Sequence, residues 1–162
     1  MIQNTSFQKA VSSDAKPVLK LYHAVSGTPY CTWDEYYPGM EEIENDIRCG
    51  SLYLLKKDDS IVGAISIVPE NELDSLPFWE MAEDAREIAR VAVAPEFQGH
   101  ALSELLVSKA EDVLRSQRCS AIHLLVAVNN IPARRTYEKC AFNILGECEM
   151  YGHTFYACEK IL

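Results

Sequence analysis

Residues 121–128 are the part of the sequence that most constrains the fold. The run reads Ala-Ile-His-Leu-Leu-Val-Ala-Val and is apolar at every position except His123. A strand that carries apolar side chains on both faces belongs in the interior of a sheet that is covered on each side. The run therefore predicts a central strand in a fold built of helices packed on a sheet.

The segments on either side of this run are predicted as helices. Apolar residues recur at helical spacing over about 99–116, and Pro132 suits the first turn of a second helix. Two strands, at about 143–151 and 154–161, then close the chain. Before residue 99, we predict a strand at 7–11, helices at about 14–25 and 40–49, and strands at 51–57, 61–69 and 88–93. With no repeat or linker visible, we expect one domain spanning residues 1–162.

The charge of the chain restricts its partners. Twenty-four acidic residues against 15 basic ones give a net charge of −9. Binding of nucleic acid or of an anionic membrane requires clustered Lys and Arg, so neither is expected. The first residues lack the basic region and apolar run that are typical of a signal peptide. No apolar run approaches the ~20 residues of a membrane span, and the six cysteines show no zinc-ligand spacing. We expect a cytoplasmic protein with reduced thiols and no metal.

The segment from Arg90 to Ser103 leads from a strand through a loop of small residues into a helix. The first backbone N–H groups of a helix have no internal acceptors, and the helix dipole adds positive potential there. Such an end binds phosphate without lysine, provided that small residues let the phosphate oxygens approach the amides. A plain strand-to-helix turn remains the alternative, because one glycine is a weak signal.

This segment resembles the pyrophosphate-binding motif of the GNAT N-acetyltransferase superfamily, a strand followed by V-x-P-x-x-[QR]-G-x-G-x-[GA]. The match lies at Val93, Pro95, Gln98 and Gly99. Two positions depart from the pattern, because Ala101 and Ser103 stand where glycine or alanine is commoner.

Residues 129–142 are similar to a second motif of the same family, N-x-x-A-x-x-x-Y-E-K-x-G-F. Ala141 replaces the glycine after the helix, which carries a cost if that position needs a positive φ. The order and separation of the two motifs agree with the family. The matching residues are Asn130, Ala133, Tyr137, Glu138, Lys139 and Phe142.

The resemblance implies an α+β fold with a central, mostly antiparallel sheet of six to seven strands. The sheet would be splayed at the acetyl-CoA site and have about four helices on its two faces. The implied function is direct transfer of an acetyl group from acetyl-CoA to a primary amine of a small molecule or peptide. The alternative is a non-catalytic acyl-CoA-binding or regulatory module, which the replaced glycines at 101, 103 and 141 favour. A doubly wound dinucleotide fold is disfavoured because G-x-G-x-x-G is absent.

The resemblance also suggests catalytic roles. Tyr137 is the expected proton donor to the leaving thiolate, and Glu87 is the expected general base. Glu80, Glu83, His123 and His153 remain alternatives for the base. Backbone amides near Val91–Val93 are expected to polarise the thioester carbonyl. The residues expected to contact acetyl-CoA are Val91, Ala92, Val93, Gln98, Gly99, His100, Ala101, Leu102, Ser103, Asn130, Ala133 and Tyr137.

Two segments are candidates for the acceptor side of the site. The loop 29–38 is rich in aromatic residues, and 70–87 has seven acidic residues against one arginine. Carboxylates and aromatic rings together suit a cationic amine, although solvated carboxylates and packed rings are the alternative. A homodimer is left open. The expected substrate contacts are Trp33, Tyr37, Trp79 and Glu80.

Overall fold

The computed structural model describes residues 4–68, 72–99 and 101–162, so His100 lies outside the described residues. These ranges contain seven strands and four α-helices. The strands are β1 (Thr5–Lys9), β2 (Leu52–Lys57), β3 (Ser60–Val68), β4 (Ala85–Val93), β5 (Ala121–Ala127), β6 (Asn143–Met150) and β7 (His153–Ile161). The helices are α1 (Ala15–Ser26), α2 (Met40–Arg48), α3 (Leu102–Ser116) and α4 (Ile131–Lys139).

All seven strands belong to one sheet in the order β1-β2-β3-β4-β5-β7-β6. Every neighbouring pair is antiparallel except β4 and β5, which are parallel. The prediction of a mostly antiparallel sheet is therefore confirmed. The apolar run at 121–128 forms β5, which has neighbours on both sides as its composition requires.

The helices cover both faces of the sheet, as predicted. On one face, α3 buries Leu106 and Leu114 against Ile122 and Leu124 of β5, and Tyr137 of α4 packs at the edge of the same cluster. On the other face, α1 and α2 enclose a second cluster with the side chains of β2, β3 and β4. Each fully buried aliphatic side chain contributes roughly 1.5–3 kcal/mol by leaving water. The members of the second cluster that lie on α1 and α2 include Val18, Leu21, Tyr22, Val25 and Ile43.

The pairing of β4 with β5 is short. The two strands pair only where Ala85, Arg86 and Glu87 face Ala121, Ile122 and His123. Beyond these residues β4 continues to Val93 and β5 to Ala127 without pairing to each other. The sheet is therefore splayed between its two parallel strands, where the resemblance predicted a cofactor gap.

Two element boundaries differ from the sequence prediction near this gap. Helix α3 begins at Leu102 instead of about 99, because Gly99 and Ala101 adopt positive φ values of 86° and 59°. Strand β4 begins at Ala85 instead of 88, so Glu87 lies within the strand and not at its beginning. Arg86 and Glu87 are charged and follow an acidic segment, which is why the sequence pattern suggested a loop there.

Ala141, two residues after α4, has a φ of 68°. Alanine in this left-handed conformation is about 1 kcal/mol less favourable than glycine, which is enriched at this position after helices. We expect Ala141→Gly to raise the free energy of unfolding by about 1 kcal/mol in urea denaturation. Ala24→Gly, at an exposed position inside α1, should lower it by about the same amount. A destabilised Ala141→Gly protein would contradict this account of the turn.

Candidate active site

The loop between β4 and α3 has an open cradle at Gly99. Among the described residues other than its chain neighbours, no atom lies within 4 Å of the position that a Cβ would occupy at this glycine. Gln98 connects the loop to the end of β4, because its side-chain amide donates to the Val93 carbonyl at 3.3 Å. A ligand can therefore approach the backbone at Gly99 closely, as a phosphate site requires.

The first turn of α3 presents its amides beside this cradle. The amide of Leu105 donates to the Ala101 carbonyl at 3.1 Å, so the amides of Leu102, Ser103 and Glu104 precede the first i→i−4 bond. The Leu102 side chain is only 3% exposed, so this residue can offer a ligand only its backbone. These N–H groups and the helix dipole suit a pyrophosphate.

Helix α4 follows β5, the strand that borders the splay opposite β4. The side-chain oxygen of Asn130 accepts the Ala133 amide at 3.2 Å and thereby caps the helix. Asn130, predicted as a cofactor contact, thus has a structural role in orienting α4. Ala133 and Tyr137, one helical turn apart, pack against the core beneath α3 and α4.

Tyr137 lies on the α3–α4 face of the sheet. Its ring packs edge-on against Phe142, with the ring centroids 5.7 Å apart. With Val126 and Cys158 it lines an open pocket of about 550 Å³. Burial raises the pKa of Tyr137 above its usual value of 10, so the phenol keeps its proton at neutral pH but is a weaker acid than an exposed tyrosine.

Glu87 is half-buried on the opposite face. Its neighbour Ile88 belongs to the core beneath α3, and successive strand residues alternate between faces, so Glu87 points to the α1–α2 side. In the register of the sheet it lies between Val68 of β3 and His123 of β5. Glu87 and Tyr137 therefore approach the splay from opposite faces of the sheet.

The aromatic loop after α1 reaches the same face as Glu87. The Trp33 ring packs edge-on against Tyr22, at 5.3 Å between centroids. The Tyr37 hydroxyl accepts a hydrogen bond from Nη1 of Arg90 at 3.3 Å, which joins the loop to β4. Trp33 and Tyr37 thus belong to the α1–α2 side of the molecule, although Trp33 is partly used in packing.

The acidic segment before β4 is attached to the sheet at Trp79 and Glu80. The Trp79 ring stacks on His123 at 3.8 Å, so one face of this ring is occupied. Glu159 of β7 accepts the backbone amides of Glu80 and Met81 at 3.3 and 3.1 Å. The Glu80 side chain itself is exposed. Trp79 and Glu80 therefore lie over β5 and β7, one strand away from Glu87.

His123 and Glu159 form a buried pair that sequence reasoning did not find. His123 Nε2 lies 2.8 Å from a carboxylate oxygen of Glu159, and each residue is 2% exposed. The His123 ring is almost fully buried and covered by Trp79, so it is not open to an acceptor from solvent. His153 starts β7 at the far end of the sheet from Glu87, and the Glu80 and Glu83 side chains are exposed. Glu87 is half-buried and lies at the paired end of β4 and β5, next to the splay.

No group of three or more potential metal ligands occurs in the described ranges. None of the helices described there is long and apolar enough to cross a membrane. All six cysteines are free.

Residues 18–142 match the profile of the acetyltransferase (GNAT) family. The chain belongs to this family. The matched residues make up most of the chain, and the family is one of acetyltransferases.

Similar proteins agree with this GNAT assignment. A Bacillus subtilis protein that carries the provisional name [ribosomal protein bS18]-alanine N-acetyltransferase is 28% identical over 116 residues. The match covers 72% of this chain and 66% of the relative, just under two thirds of its length.

Two solved structures share the fold. One is a ribosomal-protein-alanine N-acetyltransferase from Brucella melitensis, with a TM-score of 0.76, 20% identity and coverage of 97% of this chain and 99% of that one. The other, a provisionally named Salmonella typhimurium acetyltransferase solved with acetyl-CoA, has a TM-score of 0.75 and 16% identity. Coverage there is 98% of this chain and 94% of the other. The likeness extends the GNAT fold over nearly the whole chain, beyond the residues matched by the profile.

Proposed function

We propose that this GNAT protein acetylates the α-amine at the N-terminus of a peptide or protein, and that it does so in the cytoplasm as a single domain. The observation that carries the proposal is the splay between β4 and β5. It lies between the amides of α3 and the Tyr137 helix on one face and Glu87 with the aromatic loop on the other. Acetyl-CoA bound on one face and an amine bound on the other can meet there.

Residues on the α3–α4 face would hold the cosubstrate. The amides of the first turn of α3 would bind the pyrophosphate next to Gly99, and β4 residues 91–93 would bind the acetyl end. Acetyl-CoA supplies a polarised thioester and a thiolate leaving group. The small residues of the loop and the open space at Gly99 fit this ligand.

The acceptor must reach the site as a neutral amine. A lysine-type amine of pKa near 10.4 is only about 0.04% neutral at pH 7, which adds roughly 4.6 kcal/mol to the barrier. An α-amine of pKa near 7.8 adds only about 1 kcal/mol. Glu87 would take the proton that the nitrogen loses as it attacks, directly or through a water molecule.

The transfer forms a carbon–nitrogen bond and breaks the carbon–sulfur bond of the thioester. The electron pair of the broken bond goes to sulfur, and the Tyr137 hydroxyl gives the resulting thiolate its proton. Amides of β4 residues 91–93 would stabilise the charge that develops on the carbonyl oxygen. The products are an N-acetyl amide and the free thiol, while solvent returns a proton to Tyr137 and takes the proton that Glu87 gained.

The relatives suggest which α-amine to test first. Both the Bacillus protein and the Brucella protein are named for an alanine of a ribosomal protein. Exposed carboxylates of the segment before β4 and tyrosines of the loop 29–38 would also suit basic residues that follow the acetylated amine. The proposed acceptor is therefore a basic peptide that begins with alanine.

The proposal can be tested by free-thiol release from acetyl-CoA. The acceptors are a basic peptide starting with alanine, the same peptide with a blocked N-terminus, a polyamine and an aminoglycoside. We expect turnover with the free peptide only, and a fall of about 100-fold in kcat at pH 7 for Glu87→Gln. Glu149→Gln, at an exposed position on β6, serves as the control. Tight acetyl-CoA binding without turnover on any amine would instead support the non-catalytic module.

A further inference from the structure

The backbone of β4 has a bulge at Arg90 and Val91. Ala64 pairs with Ala92 and Ser66 with Ala89, so Ile65 alone faces the two residues between them. Arg90 occupies this bulge with a φ of 49°. Glycine is the usual residue in a left-handed bulge position, since a side chain there costs about 1–2 kcal/mol. Another interaction must therefore hold Arg90 in this conformation.

A buried ion pair with α2 supplies that interaction. Arg90 Nε and Nη2 donate to the two carboxylate oxygens of Asp46, each at 2.9 Å. Asp46 is only 2% exposed and also accepts the Ser66 hydroxyl at 2.7 Å. Two parallel bonds fix the plane of the guanidinium as well as its position. The side chain of the bulge residue is thus clamped to a helix.

A further contact of Arg90 leads to the aromatic loop. Its Nη1 donates to the Tyr37 hydroxyl at 3.3 Å. The guanidinium therefore joins three parts of the site: the bulge of β4, the helix α2 and the loop that carries Trp33 and Tyr37. Bulges beside active sites typically redirect the residues that follow them.

We propose that Asp46 and Arg90 act as a positioning pair, which holds the β4 bulge so that the amides of residues 91–93 point at the thioester carbonyl. Neither residue touches the reacting atoms. Their effect comes through the backbone, because a small displacement of a hydrogen-bond donor weakens its stabilisation of developing charge. The inference rests on the proposed function in one respect, the role of these amides in the transfer.

A pair that only stabilises the fold would have different consequences. Buried ion pairs are weak evidence for stability, because removing two charges from water offsets most of their attraction. A fold-stabilising role would change the melting temperature and leave the bound thioester unaffected. The strained φ at Arg90 makes the positioning role specific, since the pair is attached to the residue whose backbone needs support.

The test uses Asp46→Asn and Arg90→Lys in the full chain. Asn at position 46 lacks the second acceptor oxygen. Lys at position 90 keeps the positive charge but cannot make the bidentate contact. We expect kcat with the alanine peptide to fall about 10- to 100-fold, with less than about threefold change in KM for acetyl-CoA. The infrared band of carbonyl-labelled acetyl-CoA, shifted on binding to the wild-type protein, should move back toward its position in solution.

The matched control is Lys56→Gln. It removes a second partly buried ion pair, from Lys56 to Asp14 at 3.1 Å, which lies away from the splay. Its kcat and carbonyl band should equal those of the wild type, whatever happens to its melting temperature. Ser66→Ala, which removes one hydrogen bond to Asp46, provides a milder variant if Asp46→Asn does not fold.

Wild-type kcat and an unchanged carbonyl band in folded Asp46→Asn or Arg90→Lys protein would overturn the positioning role. Because the band needs only bound acetyl-CoA, it separates this inference from the proposed acceptor. A wild-type protein inactive on every amine, yet with a shifted band that depends on Arg90, would refute the proposed function and support the positioning pair.

Discussion

Gly99→Glu is expected to lower acetyl-CoA affinity by at least about 100-fold, the largest effect on binding that we predict. The new side chain would fill the open space beside Gly99, where no described residue other than the chain neighbours lies within 4 Å of the Cβ position. Its carboxylate would repel the pyrophosphate and compete for the positive end of α3. Isothermal titration calorimetry with acetyl-CoA measures the change directly.

Gly152→Glu is the matched control for this substitution. Gly152 lies in the turn between β6 and β7, has a φ of 79° against 86° at Gly99, and likewise has nothing within 4 Å of its Cβ position. The two variants therefore share the added charge, the backbone strain and the lack of steric conflict with the protein. Only Gly99→Glu should lose acetyl-CoA. If both variants keep wild-type affinity, the phosphate-loop assignment is wrong.

Much of the fold could be predicted because local periodicity determines it. The buried strand β5 and the amphipathic α3 were predicted from runs of side chains whose pattern needs no knowledge of the rest of the chain. The predicted element boundaries were wrong where a residue adopts a backbone conformation that its residue type does not favour. Ala101 has a φ of 59°, which composition does not indicate, and this turn delays the start of α3 to Leu102.

The cosubstrate side of the site was also predictable, since each of its two motifs lies within about fifteen residues of sequence. The buried side-chain pairs on the opposite face of the sheet could not be predicted from the sequence. Asp46 and Arg90 are 44 residues apart, and His123 and Glu159 are 36 apart. Such pairs form only through strand order and helix placement, and a polar residue inside an apolar strand is the one sequence signal that a partner exists. His123 in β5 carried that signal without identifying Glu159.

The replaced glycines bear on the choice between an enzyme and a non-catalytic module. Ala101 and Ala141 adopt the left-handed conformation that glycine would favour, with φ values of 59° and 68°. The loops therefore keep their geometry at a cost of about 1 kcal/mol for each residue instead of changing shape. Loss of glycine at these two positions is thus a penalty on stability and gives little support to the module.

Tyr137→Phe is expected to lower kcat by about 100-fold while KM for acetyl-CoA changes less than about threefold. The substitution removes the hydroxyl that would protonate the leaving thiolate and keeps the ring that packs on Phe142. Burial raises the pKa of Tyr137, so its proton is retained as the pH rises past 10, the value at which an exposed phenol loses half of it. The wild-type rate should therefore show no decline from loss of this proton below pH 10. Steady-state thiol release between pH 6 and 10 measures both effects.

Tyr53→Phe separates the catalytic role from the general loss of a buried hydroxyl. Tyr53 is also a buried tyrosine whose pKa is raised by burial, but it lies on β2 and stacks on Phe7. Its substitution should leave kcat unchanged with a good amine. Equal kcat in wild-type, Tyr137→Phe and Tyr53→Phe proteins would rule out Tyr137 as the acid. The thiolate would then have to leave unprotonated, which is feasible for a thiol of pKa near 8.5 only if positive potential at the splay stabilises it.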